Sequence, residues 1–317
     1  MSNNNSRSAR TNYQLNLSMN DLSLPKVWVI TGTSAGLGRE LAVVALSRGD
    51  RVIGTARCHD KVMDLESAFP ETFHSLQLDV TDTFETISAK AKQAVAIWGY
   101  VDVLVNNAGY SIIGTIEESR VDGLLEMFKT NVFGHVNVTN AFLPYMRAQR
   151  SGTIVFVGSR SGWYQHFPST GLYSSSKAAI HAIADALAEE LKPMNIRVLN
   201  VVPGGLRNGN ISHAQFSSAL THQANYGPLE VPEYVTIRRN VEEILRRSNG
   251  TQPGNVNRAA GAIVDVVRGE GIAQGRKWNG TLFLGSDAVR DVKIKCEATL
   301  RNLESWGDIA NSIDHDL

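Results

Sequence analysis

Seven short runs of β-forming residues recur along this chain, each separated from the next by enough residues for a helix: KVWVIT from Lys26, then RVIGTA, HSLQLDV, VDVLVNNAG, GTIVFVGS, IRVLNVV and GTLFLGS. Most are almost uniformly apolar rather than alternating, so both of their faces must be buried. Strands of that kind with helices between them predict an α/β fold, a doubly wound parallel seven-stranded sheet with helices on both faces. In such a sheet ligands gather beyond the carboxyl ends of the strands, where strand order reverses. Residues that carry chemistry are therefore sought just after strands.

Residues 1–24 are polar and rich in Asn and Ser, with no apolar core of a signal peptide, and read as a disordered arm. One domain is expected over 25–306. Within it the stretch from about 204 to 257 breaks the rhythm: RNGNISHAQFSSALTHQANYGPLEVPEY is followed by the charged, helix-like VTIRRNVEEILRRS. Placed after the sixth strand, it is expected to cover the mouth of the site as a lid, with a solvated loop and surface helix as an equal alternative. SDAVRDVKIKCEATLRNLESW reads as a terminal amphipathic helix and 307–317 as a tail.

Charge excludes some functions. Lys plus Arg and Asp plus Glu both number 31, so no net field is present to hold a nucleic-acid backbone or an anionic membrane surface. No apolar run approaches the length of a membrane span. The two cysteines, Cys58 and Cys296, have no metal-ligand spacing, and their scarcity suits a reducing, cytoplasmic setting. The sequons at Asn137 and Asn249 are then incidental.

TGTSAGLG, Thr31 to Gly38, follows the first strand directly and opens a helix. Gly32, Gly36 and Gly38 permit a tight turn in which backbone approaches a pyrophosphate at a helix N-terminus. At the end of the second strand, GTAR places neutral Ala56 and then Arg57 where a carboxylate would select a free ribose 2′-hydroxyl. A guanidinium suits a 2′-phosphate instead, so NADP(H) is favoured over NAD(H).

With these residues the chain resembles the short-chain dehydrogenase/reductase family from Lys26 to about Trp306. The resemblance rests on several motifs in order: the glycine turn, LDV with Asp79, NNAG (Asn106 to Gly109), TNVFG with Asn131, Ser159, YSSSK (Tyr173 to Lys177), and PGG from Pro203. It implies a Rossmann-type domain and a catalytic tetrad of Asn131, Ser159, Tyr173 and Lys177. The cofactor would be held by Gly32, Thr33, Ser34, Gly36, Leu37 and Gly38, by Arg57, Asp79 and Val80, by Asn106, Ala108 and Gly109, and by Pro203, Gly204, Leu206 and Asn208. The resemblance gives Asp79 the adenine ring, Lys177 also the nicotinamide ribose, and Asn131 a water in a proton relay. Relatives commonly pair through the two helices flanking the site, so a homodimer or homotetramer is expected.

The chemistry of the residues agrees. Hydride transfer to a carbonyl carbon builds negative charge on oxygen, which calls for a hydrogen-bond donor and an acid. Ser159 and Tyr173 supply these types, and a lysine one helical turn beyond a tyrosine is expected to favour phenolate and lower the phenol's pKa. Without the resemblance, a helix amide bonding its neighbours is a serious rival reading of Asn131.

Two departures stand out. Ser159 lies fourteen positions before Tyr173, one more than is common in relatives, and the extra residue falls within WYQHF, 163–167. The offset of Gly162 favours Ser159 over Ser161 as the donor. Asn208 stands where relatives usually carry Thr. Trp163, Tyr164 and Phe167 are expected to line a bulky hydrophobic substrate, with packing onto the domain as the rival reading; His166 reads as incidental. The expected activity is an NADP(H)-dependent carbonyl reductase or alcohol dehydrogenase. The alternative is a dinucleotide-binding sensor, scaffold or non-redox catalyst on the same fold.

Overall fold

Successive side chains of the first strand enter opposite sides of a sheet, and both sides are dry. Val27 and Val29 pack with Ile87, Phe142 and Ile180, whereas Trp28 and Ile30 pack with Leu41, Ile263 and Val264. All four strand residues are fully buried. A strand covered twice has no use for a polar face, which is why its sequence does not alternate.

The structure is a computed structural model and describes residues 25–165, 167–207 and 231–315. The expected arm, His166 and Asn208 fall outside the described residues. The strands are β1 (Val27–Thr31), β2 (Arg51–Ala56), β3 (Phe73–Gln77), β4 (Val103–Asn106), β5 (Gly152–Val157), β6 (Ile196–Pro203), β7 (Leu206–Arg207), β8 (Gly254–Asn255) and β9 (Thr281–Leu284). Seven of them form one sheet in the order β3-β2-β1-β4-β5-β6-β9, with every neighbouring pair parallel. Strand order reverses between β1 and β4, so the crevice lies beyond the ends of these two strands. This is the doubly wound sheet expected from the sequence.

The helices are α1 (Gly36–Ser47), α2 (Met63–Ala68), α3 (Phe84–Trp98), α4 (Ile116–Phe128), α5 (His135–Gln149), α6 (Gly171–Leu191), α7 (Val235–Ser248), α8 (Val256–Arg268), α9 (Ser286–Ser305) and α10 (Gly307–Asn311). α1 and α8 cover one face of the sheet, and α3, α5 and α6 the other. Each fully buried aliphatic side chain here contributes about 1.5–3 kcal/mol by leaving water. Thr83, Thr115 and Asn255 cap α3, α4 and α8 by accepting a backbone N–H, which accounts for where these helices begin. Gly99 and Gly269, both left-handed, end α3 and α8.

Between α4 and α5 the chain makes a π-helical turn, Lys129–Gly134, that carries Asn131 inward. Of the segment expected as a lid, residues 204–207 and 231–257 are described: β7 pairs with β8, and the charged stretch forms α7. Residues expected as a tail begin with the short helix α10. No helix among the described residues is long and apolar enough to cross a membrane.

Beneath the amino ends of the strands, Asp50 is fully buried. Its carboxylate accepts from Lys26 N and Trp28 Nε1, both at 2.8 Å, and pairs with the buried guanidinium of Arg268. Removing one member of a buried ionic cluster strands the others. Asp50→Ala is therefore expected to lower the unfolding free energy by about 3 kcal/mol, measured by urea denaturation; a loss under about 1 kcal/mol, the range of a surface pair, would show that water already reaches the cluster.

Candidate active site

Close packing of two loops builds the first wall of the site. Thr31 ends β1 with its hydroxyl donating to Val105 O at 3.2 Å and accepting from Asn107 N at 2.9 Å and Ala108 N at 3.0 Å. The Asn107 amide returns the contact, donating to Thr31 O at 2.9 Å and Gly32 O at 3.2 Å. A Cβ at Gly38 would lie 2.3 Å from that amide nitrogen and 2.5 Å from Gly32 O. Gly32 and Gly36 have φ of +73° and +61°, so the turn itself needs glycine. The sequence motif points to the glycines, but not to Asn107 as their fastening.

α1 begins at this turn with no side-chain cap on Ala35 and no acidic residue in its first turn. Its free N–H groups and positive dipole end are therefore open to an anion. This arrangement fits a dinucleotide pyrophosphate, with Gly32 to Gly38 as the cradle. Thr33 is tied back to Thr55 O through both its N–H (2.9 Å) and its hydroxyl (3.2 Å). Arg57 is exposed at the end of β2, whereas nearby Arg39 is already paired with Asp64. Asp79 uses one carboxylate oxygen to accept from Thr81 N and its hydroxyl, and Val80 is buried against Gly134. Asn106 is buried and donates to Thr139 on α5 at 2.8 Å, tying the central strand to that helix.

The second wall holds the donors. Ser159, buried just past β5, donates its N–H to His181 Nε2 at 3.3 Å, and its hydroxyl accepts from Ser161 N at 3.1 Å. α6 brings Tyr173 and Lys177 to the same place, one turn apart. Burial raises the Tyr173 phenol above its ordinary 10, while a hydrogen bond with the Ser159 side chain acts to lower it. Lys177 is 4% exposed, and its ammonium donates to Val157 O at 2.7 Å while sitting 5.8 Å from the Tyr173 ring centre. Burial lowers it to about 8. One of the three ammonium donors of Lys177 is thus held by a backbone carbonyl, and burial is the first influence on the phenol.

The Asn131 side chain makes contacts that anchor the surrounding backbone. Its amide donates to Tyr110 O at 2.9 Å, Met127 Sδ at 2.9 Å and Ser176 Oγ at 3.1 Å, and its oxygen accepts from Tyr110 N at 3.2 Å. It clips the loop after β4 to α6. A Cβ on Gly109 would meet its oxygen at 2.8 Å, so this glycine is needed for the clip.

Gly162 lies against α6, where a Cβ would be 2.7 Å from His181 Cε1 and 3.0 Å from Ala178 N. This contact separates the two serines: Ser159 faces Tyr173, while Ser161 lines a cleft of about 510 Å³ with Trp163, Tyr164, Ser174, Ser175 and Lys295. On a helix of 3.6 residues per turn, Ser174 lies roughly 100° round from Tyr173 and about 60° from Lys177, and Ser175 about 160° from both. Trp163 packs 6.3 Å from the His181 ring and edge-on to Phe283 at 5.9 Å. Trp163 and Tyr164 border this cleft beside α6, with Trp163 against the same His181 ring that holds the Ser159 N–H. Phe167 is outside that cleft's lining, and its carbonyl accepts from Thr170 at 3.0 Å. Past β6, Pro203 ends the strand, Gly204 N donates to Leu284 O at 2.8 Å, and Leu206 pairs with Gly254. Among the described residues no group of three or more His, Cys, Asp or Glu is arranged to hold a metal.

The short chain dehydrogenase family model matches residues 26–217. Oxidoreductase BOA17 of Botryotinia fuckeliana is 31% identical over 290 residues, 90% of this chain and 98% of that protein. The 3-ketodihydrosphingosine reductase of Bacteroides thetaiotaomicron is 33% identical over 204 residues, covering 64% of this chain and 72% of the other. Among solved structures, a short-chain dehydrogenase from Streptomyces avermitilis superposes with a TM-score of 0.79 at 34% identity, covering 92% of this chain and 100% of that one.

Two imidazoles, which the sequence offers only as histidines without ligand spacing, support the site in neutral form. Burial, with the Lys177 charge second, lowers His181 to about 4 and His135 to about 3; the latter bonds Ala108 O at 2.6 Å through Nε2. Unfolded imidazoles take up protons from about 6.5 downwards, so below that pH the unfolded chain binds more protons and stability falls as pH falls towards 4. His181→Gln keeps an acceptor for Ser159 N–H but does not titrate. It is expected to flatten the loss of stability between pH 6.5 and 4 in urea unfolding, and an unchanged slope would mean that His181 ionises freely in the fold.

Proposed function

Because the chain belongs to the short-chain dehydrogenase family, we propose that this oxidoreductase is an NADP(H)-dependent carbonyl reductase acting on a bulky hydrophobic ketone or aldehyde. The observation that carries the reading is the pairing of partly buried Tyr173 with buried Ser159 on the carboxyl side of the sheet, beside an uncapped helix N-terminus shaped for a pyrophosphate.

When bound, the nicotinamide supplies the hydride that goes to the carbonyl carbon. The protein has to manage the oxygen. Ser159 and Tyr173 both present hydroxyls, so two donors share the charge that grows on that oxygen. Burial keeps the Tyr173 phenol protonated near neutral pH, which suits it to deliver the proton that completes the alcohol. The protonated phenol that burial favours is the form required for carbonyl reduction, the direction in which the proton is given up. Lys177 keeps a buried ammonium one turn away, where it can meet ribose hydroxyls and hold positive charge near the phenol. Asn131 positions the loop that follows β4.

Arg57 supports the phosphate-bearing cofactor, since it is exposed where a 2′-phosphate would lie and has no acidic neighbour in Ala56. The similarity to a 3-ketodihydrosphingosine reductase supports a large apolar ketone as substrate. Exposed Ile116, Val121 and Leu125 on α4, with Phe133 beyond it, give a second copy an apolar surface to cover, in keeping with a dimer.

Tyr173→Phe is expected to lower turnover about 10²–10⁴-fold while NADPH still binds; full activity in steady-state assays across a panel of ketones and aldehydes would remove the mechanism. Arg57→Ala is expected to weaken NADPH by roughly tenfold or more, the worth of a charge-assisted hydrogen bond, and to leave NADH unchanged. Titration by cofactor fluorescence checks this, and equal effects on both cofactors would end the phosphate role.

A further inference from the structure

We propose that Asp287, in the first turn of α9, is a positioning residue for the reaction: it fixes the loop bearing Ser159 against the Gly204–Gly205 turn, so that the hydroxyl donors and the nicotinamide end of the cofactor stay in register. This rests on the reductase reading above, and on Gly204 lying at the nicotinamide end.

Three parts of the chain meet at this carboxylate, each at the carboxyl end of a neighbouring strand. Arg160 directly follows Ser159 beyond β5, Gly204 and Gly205 follow β6, and Gly285 and Asp287 follow β9. Asp287 is 5% exposed. Its Oδ2 accepts from Gly205 N at 2.8 Å and lies 3.2 Å from Arg160 Nη1, and its Oδ1 accepts from Ala288 N at 3.0 Å. The same guanidinium nitrogen lies 2.5 Å from Asp291 Oδ2, one turn further along α9. Arg160 is thus gripped by two carboxylates from one helix.

The backbone is cut away to admit this group. A Cβ on Gly204 would stand 1.9 Å from Asp287 Oδ1, and one on Gly285, at φ +103°, would stand 2.7 Å from it. The two glycines, one after β6 and one after β9, are therefore needed by the carboxylate as well as by any ligand. Burying an ionic cluster is costly, and packed apolar residues often stabilise as well, so its use here is geometric. Arg160 fixes Ser159 from the α9 side, while His181 holds the Ser159 N–H from the α6 side. With both anchors in place, the separation between the donor and the Gly204 turn has little freedom, and misplacement by about 1 Å can cost about 10²-fold in rate.

The test uses the full chain with Asp287→Asn, which keeps the size and an acceptor for Gly205 N but removes the charge facing Arg160. Arg160→Gln serves as a second variant if the first does not fold. Three quantities are compared with the unaltered protein: kcat, the affinity for NADPH (or for NADH, if that is the dinucleotide bound), and the affinity for the adenosine half alone, probed with adenosine 2′,5′-bisphosphate or ADP. Positioning predicts that kcat falls about tenfold and dinucleotide affinity weakens several-fold, while the adenosine fragment binds as before. The double variant should be little worse than either single one. Equal weakening of fragment and dinucleotide, or no change in any quantity in a folded variant, overturns the proposal. If the unaltered protein binds the dinucleotide but reduces no carbonyl, the reductase reading fails and the two affinities alone decide the role of Asp287. If it binds neither dinucleotide, both readings fall.

Discussion

Burial of every central strand on both faces is the constraint from which the rest follows. With Val27 and Val29 committed to one layer and Trp28 and Ile30 to the other, the sheet interior admits few polar side chains, Asn200 in the middle of β6 being one. Polar groups are displaced to strand ends, and because all seven strands run the same way, one edge collects the loops that leave them. Thr31, Asn106, Ser159 and Pro203 each sit at such an exit. At the opposite edge, Asp50 and Arg268 close the sheet with a buried ion pair.

Much of this was legible in the sequence because it depends on local pattern. Apolar runs marked the strands, and the glycine turn, Ser159, Tyr173 and Lys177 came out near one another because strand ends and helix spacing fix them. What the sequence could not supply depends on distances between remote segments. The lysine's partner is Val157 O, twenty positions away and visible only once β5 packs on α6. Asn107 fastens the glycine turn across more than seventy positions. The neighbours of Trp163, Phe283 and His181, likewise come from remote segments. The aromatic residues could be counted from sequence, but the side of the helix they join could not.

The electrostatics of the site are set by burial more than by pairing. Lys177, His135 and His181 are all pushed towards their neutral forms and Tyr173 towards its protonated form, with removal from water as the first cause in each case. Near neutral pH such a chamber keeps its imidazoles and phenol uncharged, and the Lys177 ammonium, lowered to about 8, is the charge that remains among these four groups. A developing oxyanion in it would be strongly felt by the few dipoles present, because the surrounding medium screens poorly.

The π-turn at Lys129–Gly134 has a consequence for how this region tolerates change. One residue more than an α-turn is accommodated there, so α5 is rotated by about 100° relative to a continuous α-helical path. That phase slip lets Asn131 reach the loop after β4 while His135 and Thr139 still face Ala108 and Asn106. Shortening the chain by a single residue at this point would restore ordinary helical winding, and because the roughly 100° removed with the residue matches the roughly 100° regained by winding, the inward stripe of α5 would keep facing the sheet while Asn131 lost its reach to the loop after β4. The extra residue therefore serves the placement of Asn131 and not the packing of α5, which either length of turn would allow.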